Sequence, residues 1–402
     1  MAIILSVQKI YFLPSISLYC GNAKVRATVK KCLLAFIGAA AVGLGPTLVA
    51  QQSVPEIPFD SDISFLKLPA GMNFGEASGV AVNSKGEIAV FTRSNSASGP
   101  AYGATASQVL LFDKNGRFLR EIGKGLYAWS YAHAIRFDKD DNLWAIDKGS
   151  DMIVRFNPQD RVTLVFGRKK EASDKAEPWE RVNPPRPPVP GQFRQPTDVA
   201  WDTDGNIYIS DGYINSRVAK FDKNGEYITS MGEPGRTKLG ELNTPHTIAN
   251  DAKGMIYVGD RGNRRIQVID PKTNTFVREI RIDVPIPPDA KPWMGQTPSG
   301  EAATAQSGAP WAICVTPPNA QGQQFLFSAD AFPGRVYKLT LDGKVVGWLG
   351  KSGHQAKQFG WIHEIACPSE NEIFVGELLN WRVQKITMHA QPAKTSTAAG
   401  GK

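Results

Sequence analysis

The sequence predicts an all-β fold, a six-bladed β-propeller, and two observations carry that prediction. A unit of roughly forty residues recurs six times, and each unit combines short apolar segments with turns rich in Asp, Asn and Gly. Four strands in a repeat of this size are typical of a propeller blade. The 38 glycines and 28 prolines also suit many short strands joined by turns better than long helices.

The units align on the first strand of each blade. Turns such as DKNG, DTDG and LDG separate strands in which apolar and polar residues partly alternate. The sixth unit stops after its third strand, VQKI. We expect the segment ISFLKLP near residue 63 to supply the missing strand, so that an N-terminal strand closes the ring. The six first strands read SGVAV, HAIRF, TDVAW, HTIAN, WAICV and HEIAC.

The domain organisation follows from the repeats. We expect a leader over residues 1–50, a linker over 51–61, the propeller over 62–390 and a disordered tail over 391–402. Two insertions, residues 168–192 and 284–309, break the period, and their charged, proline-rich or small-residue composition predicts long loops.

The leader has the composition of an export signal. Lys24, Arg26, Lys30 and Lys31 precede the apolar run CLLAFIGAAAVGLGPTLVA, which ends at Ala50. This order is typical of a cleaved signal peptide, so we expect export to the periplasm or the extracellular space. The alternative is an uncleaved segment that anchors the protein in a membrane. We interpret the first twenty or so residues as an extension upstream of the signal peptide.

Net charge gives no sign of a nucleic-acid partner. The five lysines and arginines of residues 1–50 account for most of the net charge of +8, and the remainder carries only +3. Such a mild excess does not predict binding to nucleic acid or to a membrane beyond the leader. The composition leaves the oligomeric state open.

Two cysteines remain outside the leader, Cys314 and Cys367. An oxidising compartment would permit a disulfide between them, but their spacing does not establish that the side chains meet.

Three histidines occupy one position of the repeat. The first residues of the aligned first strands are, in chain order, Ser78, His133, Thr197, His246, Trp311 and His363. The histidines therefore lie in blades 2, 4 and 6, which a six-bladed ring relates by about 120°. Only five histidines occur in the chain. Three imidazoles converging on the channel axis predict a metal site with an open fourth position, with zinc as the first candidate and copper, iron or nickel as alternatives.

From about residue 62 to 388 the chain resembles the peptidyl-α-hydroxyglycine α-amidating lyases, the lyase domain of the peptidylglycine α-amidating enzymes, within the NHL-repeat propellers. The stretches QPTDVAWDTDGNIYISDGYINSRVAKFDKNGEYITSMGE and TPHTIANDAKGMIYVGDRGNRRIQVID carry the resemblance. That family splits a carbinolamide, R–CO–NH–CH(OH)–COO⁻, into a primary amide and glyoxylate. The resemblance thus implies a small-molecule or peptide substrate with a carboxylate.

The resemblance also implies residue roles. His133, His246 and His363 match zinc ligands, and Tyr213 of DGYINSR matches the tyrosine proposed as the base. Arg93 and Arg261 match arginines at the substrate; a guanidinium suits a carboxylate because it donates two parallel hydrogen bonds. Arg217, Arg264 and Arg265 lie on or near third strands, and we expect structural roles for them.

A structural calcium ion is a further implication of the resemblance. Val80 and Ile135 match residues whose backbone carbonyls hold it, and Glu364 matches an aspartate of the family. Two other positions depart from the family pattern. Trp361 replaces a methionine that precedes the third zinc histidine by two residues, which puts the substrate in question, and Ile214 replaces a cysteine.

Two other functions stay open at this point. The chain fits a non-catalytic NHL-repeat propeller that binds a protein or glycan, with a metal that only holds the channel together. It also fits a metal-dependent hydrolase such as a lactonase. A hydrolase of that kind would more naturally use a carboxylate-rich calcium cage than three histidines.

Overall fold

A computed structural model describes residues 54–93, 107–169, 187–291 and 307–390. Within these ranges the chain forms six four-stranded antiparallel sheets, two short parallel strand pairs and one 3₁₀ turn, and it contains no α-helix. The six first strands pack side by side around a ring, as the innermost strands of a propeller do. The predicted six-bladed fold is confirmed. The leader and tail predictions lie outside the described residues.

Each blade is a four-stranded meander. Blade 1 comprises β2 (Ala77–Val82), β3 (Ile88–Thr92), β4 (Gln108–Phe112) and β5 (Phe118–Ile122). Blade 2 comprises β6 (Ala132–Phe137), β7 (Leu143–Asp147), β8 (Met152–Phe156) and β9 (Val162–Phe166). Blade 3 comprises β10 (Asp198–Trp201), β11 (Ile207–Asp211), β12 (Arg217–Phe221) and β13 (Tyr227–Met231).

The second half of the ring repeats the pattern. Blade 4 comprises β16 (Pro245–Asn250), β17 (Ile256–Asp260), β18 (Arg265–Asp270) and β19 (Thr275–Ile280), with the 3₁₀ turn η1 (Arg261–Asn263) after β17. Blade 5 comprises β20 (Ala312–Val315), β21 (Phe325–Ala329), β22 (Val336–Thr340) and β23 (Val345–Leu349). Blade 6 comprises β26 (Ile362–Ala366), β27 (Glu372–Glu377), β28 (Arg382–Met388) and β1 (Phe59–Asp62). The parallel pairs are β14 (Glu233–Pro234) with β15 (Glu241–Leu242), and β24 (Lys351–Ser352) with β25 (Gln358–Phe359).

An N-terminal strand closes the ring, but it lies just before the predicted segment. The strand β1 pairs antiparallel with β28, Phe59 opposite Met388, so it falls within the stretch predicted as linker. Phe59 and Ile57 are buried in the core shared by blades 5 and 6. The segment around residues 63–69 instead crosses to blade 1, where the Lys67 N–H donates to the carbonyl of Gly116. Leu66 is buried in a separate core that blades 1 and 6 share.

Burial explains why alternation is clear only in outer strands. The inner strand β11 is buried at all five positions, because neighbouring blades cover both of its faces. The outermost strand β19 alternates exposed and partly buried residues. Short turns join the strands. In one of them the Asp202 carboxylate accepts the N–H groups of Asp204 and Asn206, and Gly205 takes a φ of +82°.

Candidate active site in the channel

The three column histidines meet on the axis. His133, His246 and His363 are each the second residue of a first strand, β6, β16 and β26, and all three side chains are buried. Their ring centroids lie 4.6–4.8 Å apart, and their ligating nitrogens lie within 4.8 Å of one another. The predicted convergence is therefore present. The other two histidines are exposed and lie elsewhere: His389 pairs with Asp60, and His354 lies between blades 5 and 6.

The other members of the same column orient these rings. Each histidine Nδ1 lies within hydrogen-bond distance of a backbone carbonyl in the next blade. Because a carbonyl only accepts, each Nδ1 carries the proton and each Nε2 keeps its lone pair for the channel. The pairs are His133 with Thr197 at 2.6 Å, His246 with Trp311 at 2.7 Å and His363 with Ser78 at 2.7 Å.

Burial also keeps the imidazoles neutral. It lowers the pKa of all three well below the ordinary histidine value, and nearby cations add to the effect. Three neutral, oriented imidazoles fit a divalent metal ion, which in catalytic sites takes three protein ligands and leaves a position open.

Tyr213 lies beside this cluster. Its hydroxyl oxygen is 3.1 Å from Nε2 of His246 and 3.3 Å from Nε2 of His133. Burial alone would raise the pKa of Tyr213, but the charges of Lys148, Arg261 and Arg93 outweigh burial and lower the pKa. Gly212 makes the approach possible, because a Cβ there would lie 1.8 Å from the carbonyl oxygen of Pro245.

Arg261 reaches the same place from blade 4. Its guanidinium carbon lies 5.4 Å from the ring centroid of Tyr213 and 4.2 Å from that of Trp311. Its Nε is buried without a hydrogen-bond partner, and no described carboxylate forms an ion pair with it. A buried cation with an unsatisfied donor is suited to receive an anionic ligand.

Arg93 is more constrained than the sequence predicts. Its Nη1 forms an ion pair with Glu76 at 2.6 Å, and its Nε donates to the carbonyl of Ala132. Its guanidinium also stacks on Tyr131 at 4.0 Å. Arg93 therefore lies at the site as predicted, but one side of its fork is already engaged.

Lys148 belongs to the site, and sequence reasoning missed it. It directly follows β7, as Arg93 follows β3 and Arg261 follows β17. Its Nζ lies 4.0 Å from the ring centroid of Tyr213 and 5.0 Å from that of Tyr131. The position directly after a second strand was the available signal, since both arginines identified through the family resemblance share it.

The end of the channel that carries the histidines, here called the channel mouth, also has aromatic side chains. Trp311 and Trp361 lie 5.3 Å apart and pack with Ala309 and Ala331 from blade 5. Trp361 takes a left-handed φ of +57°, and its carbonyl accepts the N–H of Leu378. The mouth thus has a cationic half, from blades 1, 2 and 4, and an apolar half, from blades 5 and 6.

Buried acids fix the loops that carry these residues. The carboxylate of Asp260 accepts a hydrogen bond from the N–H of Asn243 and forms an ion pair with Arg265. Asp211 forms the equivalent ion pair with Arg217. Arg264 donates to the carbonyl of Ser307. The three arginines expected to be structural therefore hold backbone and carboxylates in place.

The residues matched to a calcium site lie beside an arginine. Glu364 forms an ion pair with the Arg136 guanidinium at 2.7 Å, and the same guanidinium pairs with Asp198 at 2.7 Å. Arg136 also donates to the carbonyl of Ile313. The charge of Arg136 would repel a divalent cation at this place. The Oε1 atom of Glu364, however, is buried and accepts no hydrogen bond. The calcium site expected at Val80, Ile135 and Glu364 therefore stays a prediction.

A cavity of about 920 Å³ opens at the other end of the channel, lined by residues that include Arg136, Ile248 and Cys314. None of the three histidines, Tyr213 or the mouth cations lines it, so its size does not bear on the metal-binding end.

Several curated proteins are similar in sequence to this chain. The chain is 30% identical over 228 residues to the peptidyl-glycine alpha-amidating monooxygenase of Mus musculus, a match covering 52% of this chain and 22% of that protein. It is 23% identical over 336 residues to the probable peptidyl-alpha-hydroxyglycine alpha-amidating lyase pgal-1 of Caenorhabditis elegans, covering 78% of this chain and 83% of that protein. NHL repeat-containing protein 3 of Mus musculus is 28% identical over 210 residues, 47% of this chain and 55% of that protein.

The chain thus spans about a fifth of the length of the mouse monooxygenase and most of the nematode lyase. No family model matches the sequence. These relatives confirm the resemblance to the amidating lyases and NHL-repeat proteins. No helix in the described ranges is long and apolar enough to span a membrane.

Solved structures support the fold alone. A streptogramin B lyase structure superposes with a TM-score of 0.50 at 13% identity, covering 82% of this chain and 98% of that one. A structural genomics protein of unknown function from Bacteroides thetaiotaomicron superposes with a TM-score of 0.51 at 12% identity, covering 83% and 77%.

Proposed function

We propose that this chain, similar to amidating lyases along most of its length, is a zinc-dependent lyase that cleaves the C–N bond of an α-hydroxyglycine derivative. The observation that carries the proposal is the Tyr213 hydroxyl, which lies 3.1–3.3 Å from two of three convergent imidazoles. Lys148 and Arg261, which form no ion pair with any described carboxylate, lie beside its ring. The products would be a primary amide and glyoxylate.

The reaction is a redox-neutral elimination. The hydroxyl proton leaves, a C=O bond forms, and the C–N electrons pass to nitrogen, which gains a proton. A bound zinc ion would act as a Lewis acid on the hydroxyl oxygen. Tyr213 is suited to take the hydroxyl proton, because the surrounding cations favour its phenolate, and to return that proton to the leaving nitrogen.

Arg261 would hold the substrate carboxylate. Its free Nε and the absence of an ion-pair partner in the described part of the chain support this role. Trp311 and Trp361 would shield the reacting atoms from water, which strengthens each electrostatic contact inside the mouth. Zinc suits three neutral imidazoles, because it binds nitrogen ligands tetrahedrally and takes no part in redox chemistry.

Export is part of the proposal. The leader composition supports it, and so does a disulfide between Cys314 and Cys367, whose Cα atoms lie 6.1 Å apart. Disulfides persist in oxidising compartments such as the periplasm and the extracellular space.

Two measurements on the purified protein test the activity. Metal analysis should find about one zinc per chain, and an α-hydroxyglycyl peptide should yield glyoxylate in amounts equal to the amide. His363→Ala should lose both metal and turnover. His389→Ala is the matched control, because that histidine is exposed and pairs with Asp60, and it should keep both.

A non-catalytic binding propeller is the second candidate, and the similarity to NHL repeat-containing protein 3 favours it. The convergence of Tyr213, Arg93 and Arg261 on one mouth weighs against it, since a binding rim needs no such cluster. Metal-loaded protein inert toward every α-hydroxyglycyl compound would favour this candidate.

A further inference from the structure

Three cations at the channel mouth are held by equivalent backbone hydrogen bonds. Arg93, Lys148 and Arg261 each directly follow the second strand of a blade. The N–H of each donates to the carbonyl two residues before the column position, at 3.0, 3.0 and 3.3 Å, and the accepting residues are Glu76, Tyr131 and Thr244. Lys148 is therefore held in the same register as the two arginines, and its side chain enters the same space.

Lys148 lies against aromatic rings and has no acid partner among the described residues. Its ammonium is over the Tyr213 ring at 4.0 Å and over the Tyr131 ring at 5.0 Å. Burial lowers the pKa of Lys148; Tyr213 and Glu76 act against this lowering, and the cations Arg93 and Arg261 add to it. An ammonium in such a place costs free energy unless an anion joins it.

The described residues of the channel mouth carry more positive than negative charge. Arg93 is neutralised by Glu76, whereas no described carboxylate pairs with Lys148 or Arg261. With zinc bound, a Tyr213 phenolate and the single carboxylate of an α-hydroxyglycine would still leave two net positive charges among the metal, Lys148 and Arg261. Lys148 and Arg261 both flank the Tyr213 ring, so they lie no further apart than the sum of their distances to its centroid, 4.0 and 5.4 Å.

We propose that Lys148 binds a second anionic group of the substrate, so that the preferred substrate is an N-acyl-α-hydroxyglycine whose acyl part also carries an acid. This inference rests on the proposed lyase function. The second acid lies a few bonds from the reacting carbon, because the two cations are close. Lysine suits this role as a compact point charge that does not require a particular anion geometry.

A matched pair of substrates tests the inference. N-glutaryl-α-hydroxyglycine ends in a carboxylate, and its terminal amide has nearly the same size and shape without the charge. We expect the wild type to show a kcat/KM about tenfold or more higher for the diacid. Lys148→Met should lose that preference, and its turnover of both substrates should also fall, because the Tyr213 phenolate loses a neighbouring cation. Lys148→Arg should retain the preference. Lys139→Met, an exposed lysine paired with Asp140, is the control and should change neither rate.

Binding gives a readout independent of turnover. Metal-loaded wild type should bind glutarate more tightly than its monoamide, and Lys148→Met should abolish the difference, as measured by calorimetry. If no α-hydroxyglycine is turned over, the proposed function fails while this binding difference still decides the role of Lys148. A wild type without preference for the diacid, or a Lys148→Met variant that slows both substrates equally, would overturn the inference and leave Lys148 as a group acting only through Tyr213.

Discussion

At the scale of single residues, the hydroxyl of Tyr213 is the group on which the chemistry depends. Tyr213→Phe removes one oxygen and leaves the ring between Lys148 and Arg261. We expect kcat to fall by about 10²- to 10⁴-fold, the usual contribution of a general base, with zinc content and melting temperature unchanged. Tyr227→Phe is the control, because that tyrosine lies on the exposed outer strand of the same blade. Turnover by Tyr213→Phe at the wild-type rate would reject the assignment of the base.

The two arginines should respond differently to truncation. Arg261→Ala removes a cation with no described ion-pair partner, so kcat/KM should fall by about 10²-fold while stability stays close to wild type. Arg93→Ala should in addition lower the melting temperature, because it leaves Glu76 buried and unpaired. Thermal melts beside steady-state kinetics separate the two effects. Equal stability losses in both variants would contradict this distinction.

The residue that sequence reasoning missed had the same positional signal as those it found. Lys148 follows a second strand as Arg93 and Arg261 do. The family resemblance directed attention to residues with a matching role, and no role was matched to Lys148. Its contact with Tyr213 depends on the relative placement of two blades, which no local pattern specifies.

At the scale of elements, the inner strands carry a second polar cluster, in which the guanidinium of Arg136 pairs with Asp198 and Glu364. Arg136→Met, in β6, should lower the free energy of unfolding by about 3–5 kcal/mol, because Asp198 and Glu364 lose their shared cation. Arg120→Met removes an exposed pair with Asp160 and should cost less than about 1 kcal/mol. Chemical denaturation measures both.

Calcium provides the complementary test. Zinc-loaded wild type should melt at the same temperature with and without added calcium, since Arg136 already supplies the cation. Arg136→Met exposes two carboxylates to the ion and should be stabilised by calcium. A wild type that gains stability from calcium would instead support the site expected at Val80, Ile135 and Glu364.

At the scale of the whole molecule, a disulfide and an N-terminal strand both hold the last blades. Cys314 lies in β20 and Cys367 just after β26, and the bond spans 53 residues of chain. A loop of that length predicts a stabilisation of up to about 4 kcal/mol from the restricted unfolded chain. Replacing both cysteines by serine should therefore shift the denaturation midpoint downward without changing zinc content. Reduced wild type should reproduce that shift, and identical midpoints for oxidised and reduced wild type would contradict it.

The sequence by itself determined the six blades, the closing of the ring by an N-terminal strand and the histidine column. These features follow from the short-range periodicity of the sequence. In a repeat protein, residues at equivalent positions of the repeat occupy equivalent places around the axis. The tertiary structure alone decided which groups meet across blades. Examples are the pairing of Arg136 with Asp198 and Glu364, the bond between Cys314 and Cys367, and the contact of Lys148 with Tyr213, which all join residues far apart in the chain. The closing strand lies at residues 59–62 and not in the predicted segment near residue 63. The reason is the same, because the register of this strand depends on the core against which it packs and not on its own β propensity.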